Sequence, residues 1–513
     1  MKTTSVSRNY GDSTNPNPQD FYLLPKPNAR QLNPEKFFAH EYQQINQRRE
    51  LNGFREDSSN VPPRKIISLA LSGGGIRSAA FQLGLLSGLA QGQLGHGTVL
   101  GRIDYISSVS GGGWANGAYW AWQKSDEAFF DCLNEAALKG TNAVSENCNN
   151  AANMLRIQQA LKRVPIWGQR KEKWEEDIKD IYLFDLPNHN VDFTKINDRS
   201  IYPRGFSQKP YPIFNLTHSS FVQQAADIKN LPFEITPDYL GTIIDCKSEG
   251  LAEKPCGFFK NNRYARIGFF ARPSAEGFQW ENRKWGRWWK LWSSDEDEPG
   301  ALLSKAMAPS SGVIGTPILL QYNFHLRYRG QKILEIREHY NLTDGGKSDN
   351  LGLIPLIERG SDLIVISQIG KAKKNKPFGD FDLASRQVEK LFGCEVPVPQ
   401  EAPKQDFVIP STYQCPNGKG GFRTGTLFYV MPWYKNVEKN FISYLERDRE
   451  TDKIAEYLKA EKNDTTIAPE DRFPQTPTFK ETYDERLIRA YYLLGQYIAR
   501  EHLNPQIADW YGM

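Results

Sequence analysis

The chain has 513 residues, 39% hydrophobic and 24% charged, with a formal net charge of +4. That is the balance of a globular protein with a sizeable core, and too little charge for its length to attract nucleic acid by bulk electrostatics. No apolar run approaches the roughly 18 residues of a membrane-spanning helix.

Residues 1–61 open with "MKTTSVSRNYGDSTNPNPQDF", which lacks the apolar centre of a Sec signal peptide. That stretch is expected to be a disordered or loosely docked tail, and residues 1–61 as a whole a polar N-terminal extension. Residues 62–513 are expected to form one large α/β domain, with a helical insertion at about 126–200, an excursion at about 250–300 and a helical part at about 376–513. "RKIISLAL" (64–71) is a short β-branched run and predicts a buried strand. It enters "SGGG" and then the helically spaced "IRSAAFQLGLLSGLAQ". "RIDYISSVS" and "GWANGAYWAWQKS" repeat the strand–helix pattern. Two such units in about 60 residues predict a parallel sheet with crossover helices. "YPIFNLTHSS" and "SDLIVISQIG" are further strand candidates, and "YDERLIRAYYLLGQYIAREH" has the spacing of a packed helix.

Gly73, Gly74 and Gly75 lie between the first strand and its helix. Unpaired N–H groups at a helix start suit an anion, either a phosphate or a developing oxyanion. No Lys-Ser or Lys-Thr follows at P-loop spacing, and Ser78 stands where a dinucleotide fingerprint needs its third glycine. Arg77 adds positive charge in the first helical turn.

Ser110, in "YISSVSGGGWANG", sits where a nucleophile elbow would place a serine, on a strand-to-helix turn. The Gly-x-Ser-x-Gly pattern is half met: Gly112 is present, but Ser108 replaces the first glycine. Both are small, so the steric demand is met, and the Gly111 N–H is a further oxyanion donor. None of the seven histidines lies in a motif suited to a triad. Asp344, ending a strand in "NLTDGGKSDNLGL", is the better candidate base, since a carboxylate in a site that disfavours its charge can take the serine proton directly. On its own, that stretch also reads as a plain Asp-Gly turn.

"LALSGGGIRS", "SSVSGGGW" and "TDGGKSDNLGLIPLIERGSDLIVIS" occur in the order found in patatin-like phospholipases, and together they resemble the cytosolic phospholipase A2 branch over about residues 62–370. The resemblance implies a three-layer α/β fold, with a mostly parallel sheet and helices on both faces. It implies a Ser110–Asp344 dyad, an oxyanion hole from Gly73, Gly74, Gly75 and Gly111, and Arg77 as an anchor for the phosphate head group or the glycine turn. The implied activity is phospholipase A-type hydrolysis of glycerophospholipid acyl esters, with no metal or organic cofactor. Alternatives are a lysophospholipase, acylglycerol lipase or acyltransferase using the same dyad, or a non-catalytic lipid-binding scaffold. Residues 1–61 are too short for a calcium-binding C2-like domain, so calcium-driven docking is not implied.

A partner surface is suggested by "ENRKWGRWWKLWSS", where Trp285, Trp288, Trp289 and Trp292 share one helical face and basic residues the other. That is the pattern of an in-plane anchor at a phospholipid membrane, although a Trp stripe at this spacing also suits a core. From Lys254 to Lys290, nine Lys/Arg against two Glu give a local charge of +7. The cysteines fall as Cys132/Cys148, Cys246/Cys256 and Cys394/Cys415, the spacing of three local disulfides. Six reduced thiols is the simpler reading and is the expectation, with a cytoplasmic, peripherally membrane-associated enzyme. The alternative is export without a Sec signal, as for a bacterial effector or toxin. A glycan at the Asn341 sequon would crowd Asp344, which weighs against a eukaryotic secretory route.

Overall fold

The computed structural model of the chain describes residues 34–54, 63, 65–156, 170–183, 208–219, 230–237, 240–241, 270–271, 278–280, 298–299, 303–310, 313–314, 318–319, 322–326, 338–369, 378–399, 406–416, 421–433, 437–468, 471–477 and 483–513. In chain order the elements used below are α1 (Pro34–Leu51), β1 (Ile67–Leu71), α2 (Gly75–Gln91), β2 (Tyr105–Val109), α3 (Gly111–Ala121), β3 (Tyr211–Ser219), β4 (Asn230–Ile235), α4 (Leu303–Ser310) and β5 (Tyr322–Leu326). There follow β6 (Glu338–Asp344), α5 (Gly346–Asp349), α6 (Ile354–Glu358), β7 (Leu363–Ser367), α7 (Gly379–Phe392), β8 (Val408–Pro416), β9 (Phe422–Val430) and α8 (Glu485–Ile498).

Among the described residues one 13-stranded sheet runs through β5-β6-β3-β2-β1-β7-β9-β8, with β4 branching from β3. The centre, from β3 through β2, β1 and β7 to β9, is parallel, whereas β6, β5, β4 and β8 pair antiparallel. The central strands are buried on both faces, as parallel strands between helical layers must be. Alternation divides β1 between the layers. Ile67, Leu69 and Leu71 pack into the core that holds α2, α3 and α8. Ala70 packs with Ile364 and Ile366 of β7 under α6 and α7.

Three expectations need correction. The polar extension is not wholly separate from the domain that follows it: α1 docks on the body. It carries few apolar anchors (Phe38, Ile45) and fixes itself instead through buried charge. Arg49 donates to both Asp104 oxygens at 2.8 and 2.7 Å, and Glu41 accepts from Arg359 at 2.8 and 3.0 Å. Second, the part beyond residue 376 is not simply helical, because β8 and β9 extend the main sheet beside β7. Third, Cys132–Cys148 and Cys394–Cys415 are disulfides; Cys246 and Cys256 lie outside the described residues. The Trp285, Trp288, Trp289 and Trp292 stripe also lies outside them. No helix among the described residues is long and apolar enough to cross a membrane.

Candidate active site

Strand β3 organises the site. One of its edges is occupied by β4 from Phe214 to Ser219. The other edge is shared: β2 runs parallel along it as far as Val109 opposite Asn215, and β6 runs antiparallel down to Asp344 opposite Leu216. The two strands meet end to end, so both chains must leave the sheet there. β2 turns out at Ser110 and β6 at Gly345. The crowding is direct, since a Cβ on Gly345 would lie 2.4 Å from the Asn215 carbonyl oxygen and 3.2 Å from a Val109 methyl.

Ser110 makes its turn with φ 51° and ψ −120°, a conformation that L side chains rarely adopt. Lys65 is the other non-glycine residue at positive φ among the described residues. Such strain costs on the order of 1–3 kcal/mol and persists where the surroundings over-determine it. Here they do. The Ser110 carbonyl accepts from Gly113 and Trp114 in the first turn of α3, at 2.8 and 3.2 Å. The Ser110 N–H donates to Ser310 Oγ at 3.0 Å, and that hydroxyl donates to the Asn215 carbonyl at 2.6 Å. The Ser310 carbonyl accepts from the Gly345 N–H at 3.3 Å. One residue at the end of α4 therefore ties together the turn after β2, the middle of β3 and the turn after β6. The sequence reading gave Ser310 no part.

The departure at Ser108 has a physical account. Its hydroxyl is fully buried, donates to the Ile213 carbonyl at 3.1 Å and accepts from Asn116 at 3.0 Å. The side chain fits a polar niche between β3 and α3, so glycine is not required there. Glycine is required after Ser110. A Cβ on Gly111 would lie 2.1 Å from the Gly75 carbonyl oxygen, and one on Gly112 2.4 Å from that of Leu71. The glycine turn and the elbow thus pack backbone to backbone.

The expected oxyanion donors separate. The Gly73 N–H is committed to the Asn350 carbonyl at 2.9 Å, which corrects its place among the donors. The N–H groups of Gly74, Gly75 and Gly111 have no hydrogen-bond partner among the described residues. Arg77 is corrected too, as an anchor for the head group. It is 1% exposed and donates to the Thr476 carbonyl, so it binds α2 to the C-terminal segment and presents no surface to a head group.

Asp344 is 6% exposed, and its Oδ1 accepts from the Gly346 N–H at 2.7 Å. Asn350 closes the loop onto the glycine turn. Its Oδ1 lies 2.3 Å from where a Gly73 Cβ would sit and 2.8 Å from that of Gly346, while its amide donates to Asp380 at 2.6 Å. The same Gly73 Cβ position is 3.3 Å from Ser110 Cβ. Gly73, Ser110, Asn350, Gly346 and Asp344 therefore form one continuous surface. No hydrogen bond joins the Ser110 hydroxyl to Asp344 in this state; such bonds are often long without substrate. Asp349 supports the loop from behind, accepting from the N–H groups of Leu351, Gly352 and Ile354 at 3.0, 3.1 and 2.8 Å. Burial nonetheless pushes its pKa above the usual carboxylate value.

No protein-family model matches the chain, and no curated protein matches it. Solved structures do. Human GIVD cytosolic phospholipase A2 superposes with a TM-score of 0.53 at 12% identity, over 93% of this chain and 64% of that one. The same human protein in complex with Methyl gamma-Linolenyl Fluorophosphonate gives 0.48 at 12% identity, over 93% and 63%. The chain spans about 64% of the length of the first of these structures and has the three-layer α/β fold of cytosolic phospholipase A2.

Proposed function

We propose that the chain is a serine acyl hydrolase of the phospholipase A type, cleaving fatty-acyl esters of glycerophospholipids. The observation that carries this reading is the strained Ser110 turn, which shares one surface with Asp344 and with unpartnered N–H groups of the glycine turn. Strain of this kind clusters at functional sites. The hydroxyl of Ser110 attacks the ester carbonyl carbon as Asp344 accepts its proton. The N–H groups of Gly74, Gly75 and Gly111 hold the oxyanion. Collapse of the tetrahedral intermediate breaks the ester C–O bond, and Asp344 returns the proton to the leaving alcohol. Asp344 then takes a proton from water, which attacks the acyl-enzyme carbonyl; collapse breaks the bond to the Ser110 oxygen, Asp344 returns the proton to that oxygen, and the fatty acid is released. The +7 segment with its Trp stripe supports peripheral contact with a phospholipid surface as part of the same proposal.

The test is fatty-acid release from phospholipid micelles by wild type, Ser110→Ala and Asp344→Asn. Each variant should lose at least about a thousandfold in kcat. A fluorophosphonate should label Ser110 in wild type. Hydrolysis that persisted in both variants would remove the dyad.

A further inference from the structure

Because the Arg77 guanidinium is buried against Thr476, the site needs another cation if it is to recognise a charged lipid. Lys347 meets that need. It lies in α5, next to Gly346, whose N–H holds Asp344. Its side chain is half-buried, and among the described residues its ammonium has no hydrogen bond and no ion-pair partner. We infer that Lys347 binds the phosphodiester of the substrate's head group and so makes the site select phospholipids over neutral acylglycerols. This rests on the acyl-hydrolase reading above.

The placement suits the chemistry. In a glycerophospholipid the phosphate is a few bonds from the acyl esters. A cation three residues along the chain from the base, and near enough to feel the Asp344 charge, is therefore placed to meet the phosphate when Ser110 meets the ester. A lysine supplies a mobile point charge, which suits a phosphodiester carrying a single negative charge. Burial pulls the Lys347 pKa below its usual value while the Asp344 charge opposes that pull. A second anion would offset the same desolvation.

The experiment compares kcat/KM for dioleoyl phosphatidylcholine and dioleoylglycerol in the same detergent micelles, using wild type, Lys347→Met and Lys347→Arg. The expected result is a phospholipid-to-acylglycerol ratio lowered about tenfold or more in Lys347→Met and largely restored in Lys347→Arg. An unchanged ratio, or an equal fall on both lipids, overturns the inference and leaves the hydrolase reading intact. Wild type that cleaves neither lipid overturns both. Inorganic phosphate separates a lipid site from a free-anion site. If phosphate inhibits dioleoylglycerol cleavage by wild type but not by Lys347→Met, and wild type shows no preference between the lipids, the head-group assignment fails.

Discussion

Val109 and Asp344 occupy adjacent register positions on one edge of β3, opposite Asn215 and Leu216. Neither strand can continue past the other, so the sheet itself forces the turns that expose Ser110 and the Asp344 loop. The strain at Ser110 follows from that collision, and it is measurable. Ser110→Ala removes the hydroxyl but keeps a Cβ at φ 51°. Ser110→Gly removes the Cβ as well. Part of the relief is offset by the greater freedom of glycine in the unfolded chain. Urea unfolding should still find Ser110→Gly more stable than Ser110→Ala by about 1 kcal/mol, with both inactive. Equal stabilities would mean that the turn stores no strain.

Ser310 is the residue whose loss should loosen the site without touching the reacting groups. In Ser310→Ala the Ser110 N–H loses its acceptor and the Asn215 carbonyl its donor. Leaving such buried groups unpaired costs about 1–3 kcal/mol. The activity signature should be a kcat lowered about tenfold or more with KM little changed, because misplacing the nucleophile affects the transition state more than binding. Kinetics on phospholipid micelles beside urea unfolding separate the two effects. Normal kcat in Ser310→Ala would leave Ser310 a purely structural residue.

The central units were legible in the sequence because their signals are local. β1, α2, β2 and α3 follow from β-branched runs, glycine turns and helical spacing within a few dozen residues. The meeting of Ser110 with the Asp344 loop depends on pairings separated by more than a hundred residues, and no local pattern encodes it. It was reached only through the order of three motifs. Ser310 was invisible for the same reason: a serine at a helix end gives no sign that both its hydroxyl and its carbonyl will be used. Arg77 misled because charge in a first helical turn looks solvent-facing, whereas here the C-terminal segment covers it. The docked α1 was missed because its contacts are ion pairs, and a polar sequence with charges at helical spacing reads the same whether those charges are solvated or buried. β8, at the sheet edge, is largely part-exposed, and β9 is exposed over Phe422–Thr424 before it becomes buried over Leu427–Val430, a weaker signal than the all-buried centre.

Cys132–Cys148 and Cys394–Cys415 close loops of 16 and 21 residues in sequence separation. Loops of this size are worth about 3 kcal/mol each on the chain-entropy account. Unreduced protein should therefore be lighter than reduced protein by two hydrogens per bond in mass spectrometry. Cys132→Ser combined with Cys148→Ser should lose about 3 kcal/mol on urea unfolding. Disulfides persist in oxidising compartments, so we propose the exported rather than the cytoplasmic location. Free thiols at these four positions in protein isolated from its native compartment would remove that proposal.

Glu234, on β4, gives a pH test of how α1 is held. It forms a buried ion pair with Arg359 at 2.9 Å, and Arg359 also pairs with Glu41 of α1 at 2.8 Å. Burial disfavours the Glu234 anion and Glu41 repels it, while Arg359 offsets only part of this, so its pKa rises from 4.5 to about 6. A carboxyl that holds its proton more tightly folded than unfolded contributes stability below the unfolded value. That contribution is lost as pH rises through the folded value. The window is therefore pH 4.5 to about 6, and the loss is about 2 kcal/mol. Other groups slope the opposite way. Asp104, for example, is held below its usual pKa by Arg49 and Arg102 against its own burial, and it stabilises as pH rises. The informative quantity is therefore the difference in unfolding free energy between wild type and Glu234→Gln, which carries no charge at any pH. Relative to the variant, wild type should lose about 2 kcal/mol across that window and then level off. A difference that stayed flat from about pH 4 to about pH 7 would mean that Glu234 binds its proton no more tightly folded than unfolded, so that Arg359 offsets in full both the burial and the Glu41 charge.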